Sequence, residues 1–245
     1  MAVAPVMHAF DLGGARLVLT LRRSARRSFA LRVDPQGAQV AAPLHASLRD
    51  IEHFVRAHRD WLLERLSLRP PPLVLEDGAQ FPLLGRPARL CRGPGRRACW
   101  RQAADGSAQL EIPHAADARP MLLRALQARA LVWHRERVAA YCLRLGLTPP
   151  PVRLSHARTR WGSCSSASGI RLHWRLIHLP PALIDYVVAH EVAHLIEMNH
   201  SPRFWSVVEG LYPDWRGARA QLRSAAASLP VFAPDPNLSL IELEH

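Results

Sequence analysis

His190-Glu191-Val192-Ala193-His194, followed six residues later by His200, is the stretch whose reading decides this chain. On an α-helix, residues four apart share a face and lie about 5–6 Å from each other. Two imidazoles at that spacing can point at one ion. Glu191 lies on a neighbouring strip of the same helix. From there a carboxylate can reach a water beside the ion without being a ligand. Two histidines on zinc, a third protein ligand, an open position and a proton-accepting carboxylate make up a metal-dependent hydrolase site. The spacing therefore predicts His190 and His194 as metal ligands, Glu191 as general base, and a single zinc ion per chain.

The flanking residues say how such a helix begins and ends. Pro181 suits the first helical turn, where a missing N–H is harmless. Leu183, Ile184, Val187, Val188 and Leu195 recur at helical spacing and predict a buried face. Asn199 is the candidate for a left-handed residue that ends the helix. Ser201-Pro202 reads as the N-cap and first position of a second helix. His200 then falls at a chain reversal that can return it toward His190 and His194, which makes it the favoured third ligand. Glu197 and Glu209 are rival third ligands. Glu197, three residues past His194, more readily accepts a hydrogen bond from a ligand imidazole. Glu209, behind the apolar run Phe204–Val208, reads as a surface residue of its helix.

With Arg160-Trp-Gly-Ser-Cys-Ser165, the strand-like Gly169 to Leu179, Asp185-Tyr-Val-Val, Asn199-His-Ser201 and Phe204-Trp205 added, the chain resembles the YgjP-like metallopeptidases. These are relatives of the SprT and Spartan-type zincins. The resemblance is strongest over residues 150–225. It implies a zincin-like core, peptide-bond hydrolysis, His190, His194 and His200 as zinc ligands, and Glu191 as catalytic base. Two positions depart from the family pattern. Val192 stands where Leu is usual, and His173 where Asn is frequent.

A length of 245 residues with 49% hydrophobic content supports one large domain or two small ones. No apolar run reaches the roughly 20 residues of a membrane span. Met1–Gly14 lacks the basic start and apolar stretch of a signal peptide, so a cytoplasmic location is expected. Cys91, Cys99, Cys142 and Cys164 are scattered, which excludes a disulfide framework and a cysteine zinc site. Cys164 reads as a small residue packed near the active site. The net charge is +12, carried entirely by Arg. That excess attracts polyanions, nucleic acid among them. The clusters Arg22-Arg23/Arg26-Arg27 and Arg92/Arg96-Arg97 read as solvated turns. Leu243-Glu244-His245 resembles an expression-tag remnant.

The expected fold class is α+β. A small β-rich N-terminal region with one helix occupies 1–115, a metallopeptidase core 116–230, and a tail 231–245. Arg16–Leu21 and Arg27–Val33 alternate as half-buried strands, with Asp34-Pro-Gln-Gly37 as a turn. Ser47, with Asp50 three residues on, predicts a capped helix running to about Leu68, stopped by Pro70-Pro-Pro72. Short strands continue to about Ile112, and a long helix runs from near Pro120 to Gly146. His134 on that helix has no ligand-like partner at helical spacing. The core continues through strands at 152–155, 160–163 and 169–177 into the zinc helix. The last strand is the candidate edge for an extended peptide.

His173, Trp174, Arg160, Ser163 and Tyr212 are candidates for the substrate cleft, while Tyr186 is expected to pack in the core. The expected partner is a peptide or protein. Two alternatives stand beside this reading. One is a nucleic-acid-associated module with mainly structural zinc, and the other is a protease acting on DNA-bound proteins.

Overall fold

The computed structural model describes residues 4–12, 16–34, 37–67, 72–157, 160–225 and 229–232. The chain divides into two compact units, Met1–Pro71 and Pro72–His245. The sequence places its first change of region at 115/116; the contacts divide at 71/72. Most of the tail over 231–245, including the tag-like end, lies outside the described residues. No described helix is long and apolar enough to cross a membrane.

The first unit is a four-stranded sheet with two helices: β1 (Val6–Asp11), β2 (Arg16–Ser24), β3 (Ala30–Asp34), β4 (Gly37–Pro43), α1 (Leu48–Ala57) and α2 (Arg59–Ser67). Its order is β1-β2-β4-β3, with β2 and β4 parallel. Alternating residues Leu19 and Leu21 of β2 and Val40 of β4 meet Ile51 and Val55 of α1 in one core. Ser47 caps α1 in a reciprocal box with Asp50, as its sequence predicts. The single helix expected to reach Leu68 is broken at His58. Its N–H reaches back to the Val55 carbonyl and its ring Nδ1 bonds the Phe54 carbonyl at 2.9 Å, which ends the first helix.

The second unit opens with β5 (Gln80–Leu83), β6 (Arg86–Gly93), β7 (Cys99–Gln102) and β8 (Ala108–Pro113), then α3 (Ala118–Arg144). The order β5-β6-β8-β7, with β6 and β8 parallel, repeats the first sheet strand for strand. The likeness extends to residues. Ala38-Gln-Val-Ala-Ala-Pro43 of β4 matches Ala108-Gln-Leu-Glu-Ile-Pro113 of β8, and an N-cap, Ser47 or Asp117, follows each proline by four residues. Arg23 of β2 donates to the Leu44 and Ala46 carbonyls after β4. Arg92 of β6 donates to those of Pro113, His114 and Ala116 after β8. These two arginines pin strand-to-helix loops rather than decorate solvated turns.

The rest of the second unit holds β9 (Val152–Ser155), β10 (Gly162–Ser165), β11 (Gly169–His173), a 3-10 helix (Trp174–His178), α4 (Pro181–Ala193), α5 (Pro202–Leu211) and α6 (Trp215–Ala225). The three strands run in the order β10-β11-β9, with β11 antiparallel to β10 and parallel to β9. This corrects the expected edge: β11 is the central strand, and among the described residues β10 is paired on one side only. The strand also stops at His173, whose Nδ1 accepts the Arg175 N–H at 3.1 Å and starts the 3-10 helix.

Two contacts fix the start of α4. Gly85, at φ +72, lies so close to Pro180 that a Cβ would meet its Cα at 2.9 Å. Arg137 of α3 clamps Asp185 of α4 with two hydrogen bonds of 2.7 Å.

Candidate active site

Helix α4 is apolar on nearly all sides. Leu183, Ile184, Val187, Val188 and Val192 are all buried, as befits a helix enclosed by other elements. His190 and Glu191 ride on its last turn, and His194 is its C-cap. Around it the backbone tightens, with the Leu195 and Ile196 N–H groups bonded to the Val192 and Ala193 carbonyls three residues back. Asn199 is not left-handed; its Oδ1 instead accepts the Ser201 N–H at 3.1 Å. Ser201 then caps α5 through the Phe204 N–H. The reversal returns His200 to the helix.

The three imidazoles form a near-equilateral triangle. Ring centroids are 5.1 Å apart for His190–His194, 5.1 Å for His190–His200 and 4.9 Å for His194–His200. One nitrogen from each lies within 4.8 Å of the others. The Nε2 atoms of His190 and His200 are 3.2 Å apart. Two nitrogens bound to one tetrahedral zinc at about 2.0–2.1 Å are about 3.3–3.4 Å apart, so the donor set fits that ion. His194 Nδ1 donates to the Glu197 carbonyl at 3.1 Å, leaving Nε2 as the free lone pair. Burial, with the neighbouring histidines, lowers the pKa of His190 to about 4 and also lowers that of His194. Both are therefore neutral at pH 7, the state a metal ligand needs.

Phe204, fully buried, is the floor of the triangle, 5.0, 4.5 and 4.7 Å from the rings of His190, His194 and His200. Trp205 stacks on His200 at 5.9 Å and on Trp215 at 4.1 Å.

Glu191 is only 5% exposed, and its Oε2 is buried with no hydrogen-bond partner among the described residues. Burial raises its pKa to about 8, against the opposing pull of Arg160. Its carboxylate lies against β10 at Gly162, where a Cβ would fall 2.4 Å from Oε1. Glycine is needed here for space. Sequence reasoning missed this residue, though a glycine inside a strand signals close approach.

The other candidates scatter. Arg160 is exposed and close enough to Glu191 to act on its charge. Gly162 and Cys164 face α4, so the pleat turns Ser163, between them, to the opposite face of the sheet. His173 sits two rows along beside Arg171 on that opposite face, its ring 5.6 Å from Trp161 and away from the three histidines. Trp174 is buried in the core under the β5–β8 sheet. Tyr212 is the C-cap of α5, 6.0 Å from Tyr186, which is itself buried and 6.3 Å from His190. Glu197 meets the His194 imidazole through its backbone carbonyl rather than its carboxylate. Glu209 pairs with Arg216 at 3.5 Å. Burial and the Glu191 charge raise the Cys164 thiol to about 11, so it is no thiolate. His134 is buried, with Nε2 at 3.3 Å from the His173 carbonyl.

The family model described as YgjP-like, metallopeptidase domain matches residues 27–225. Among solved structures, the chain is similar to the metallopeptidase zymogen of Pyrococcus abyssi abylysin, at 22% identity and a TM-score of 0.36, over 40% of this chain and 99% of that one. No curated protein matches.

Proposed function

The chain belongs to the YgjP-like metallopeptidase family and is a peptidase, and from that premise we propose a zinc enzyme with His190, His194 and His200 as ligands and Glu191 as general base. The observation that carries this reading is the convergence of three imidazole nitrogens within 4.8 Å, two from the end of α4 and one from the loop after it, beside a buried carboxylate on the same helix. When bound, zinc would polarise the scissile carbonyl and make water acidic enough to lose a proton near neutral pH.

The remaining chemistry belongs to the chain. Glu191 Oε2, with no protein donor to satisfy it, takes the proton from the attacking water. Burial raises its proton affinity, and a cation held by the adjacent histidines would favour the ionised form, in which it takes that proton and then releases it to the departing amide nitrogen. The Glu197 carbonyl holds the His194 tautomer and ring angle. The free edge of β10, whose Gly162 backs Glu191, can pair with an extended peptide and carry its carbonyl past the carboxylate. Tyr212 and Arg160 are the remaining side chains at the margin of this region.

The alternative of a structural zinc in a nucleic-acid module calls for a fourth protein ligand. Among the described residues, the metal-competent group holds three histidines and no more. Glu191→Gln tests the reading: zinc is retained, while turnover falls by about 10²–10⁴-fold. Normal turnover by that variant ends the proposed role.

A further inference from the structure

Charge is distributed unevenly around the three histidines, and one flank carries cations that no acid answers. Helix α6 presents Arg219 and Arg223 one turn apart, both exposed. The Arg219 guanidinium lies 5.6 Å from the Trp205 ring centroid, and Trp205 lies 5.9 Å from the rings of both His190 and His200. One indole therefore separates this cation from two of the three imidazoles. Its charge acts on His190, and the charges of both arginines act on Tyr186, whose ring is 6.3 Å from that of His190. Arg160 acts on Glu191 from the side of β10. The acids on the neighbouring elements are engaged elsewhere. Arg137 clamps Asp185, Glu209 pairs with Arg216, and Asp214 accepts the Gly217 N–H at the start of α6. Among the described residues neither Arg219 nor Arg223 forms an ion pair.

We propose that Arg219, with Arg223 beside it, binds a carboxylate of the peptide substrate and so selects acidic segments for cleavage. This rests on the peptidase reading above and names a substrate class for it. An unmodified peptide offers such cations one kind of anion, the carboxylate of Asp, of Glu or of the C-terminus. A planar guanidinium meets a carboxylate with two parallel hydrogen bonds. Contact with the Trp205 ring holds the Arg219 side chain in place, so less freedom is lost when the carboxylate arrives. An extended peptide advances about 3.3 Å per residue, so a carboxylate one indole away from the imidazoles falls about two to four residues from the cleaved bond.

The test is a position scan on the zinc-loaded full chain. A labelled Ala-rich peptide with an amidated C-terminus carries a single Glu at each position in turn, and a second series has no Glu but a free C-terminus at varied distance from the cleaved bond. In the wild type, Glu at one position raises kcat/KM by about fivefold over Ala, mainly through KM. A gain in the first series assigns the site to an acidic side chain, and a gain in the second alone assigns it to the chain terminus. Arg219→Gln removes the gain, and Arg219→Lys, which keeps the charge without the fork, retains part of it. Arg124→Gln makes the same change of charge on α3 beside Trp100 and Met121, which are no part of the histidine site, and keeps the gain. Equal rates for every Glu and Ala peptide and for free and amidated ends overturn the proposal. A gain that survives Arg219→Gln, or that Arg124→Gln lowers equally, also overturns it. Cleavage of none of the peptides ends the peptidase reading instead. Fluorescence anisotropy with the same labelled peptides then decides the carboxylate site separately: tighter binding of the carboxylate-bearing peptides, lost in Arg219→Gln, upholds it, and equal binding overturns it.

Discussion

Gly162→Ala tests the geometry around Glu191 with a single methyl group. The new Cβ would lie 2.4 Å from Oε1, 2.6 Å from Cγ and 2.7 Å from Cδ of Glu191. Comfortable contacts between such atoms begin near about 3.5 Å, so the carboxylate must retreat by about 1 Å. A reacting group displaced by about 1 Å can slow turnover by about 10²-fold. The three histidines do not touch Gly162, so zinc stays. The assay is kcat and KM on a fluorogenic peptide that the wild type cleaves, with metal content measured on the same sample. The expected result is kcat down by about 10²-fold at full zinc occupancy, approaching Glu191→Gln. Wild-type kcat at full occupancy refutes the placement of the base. Loss of the metal along with activity refutes the separation of ligands from base.

Phe204→Leu removes the ring that touches all three imidazoles. It should weaken zinc binding in chelator competition by about 10-fold or more, and an unchanged affinity refutes the positioning role. Asp185→Asn breaks the two-bond clamp from Arg137 and should lower unfolding free energy by about 2 kcal/mol in urea titrations. His134 and His178 are buried neutral, each lowered from 6.5 to about 4 chiefly by burial. Between those values the unfolded chain binds more protons than the folded one, so stability falls on acidification. From pH 7 to pH 5 the loss is roughly 2 kcal/mol for each, and a flat stability profile contradicts it.

The three-histidine cluster was legible because its determinants are local. Histidines four apart, Pro181 at a helix start and Ser201 at the next N-cap each act within a few residues. What escaped the sequence depends on partners far along the chain. Gly169–Ile177 looked like an edge because nothing in it announces that β9 returns parallel to its other side. Its run of apolar residues also hides the point where the His173 ring caps a 3-10 turn and sends Trp174 into the core. The lone helix expected after Ser47 becomes two because His58 bonds backward to its own last turn. The repeated sheets share only a short stretch around Ala-Gln-Val and Ala-Gln-Leu, too little to stand out until register aligned them. Gly162 was visible as a glycine in a strand, but its reason, the Glu191 carboxylate, lies on another element.

Metal content by elemental mass spectrometry, on the wild type and His200→Ala purified identically, tests the central claim most directly. The account predicts about one zinc per wild-type chain and a clear loss in the variant, since a two-histidine remnant binds weakly. A metal-free wild type prepared without chelators, or full zinc retention by His200→Ala, would contradict it.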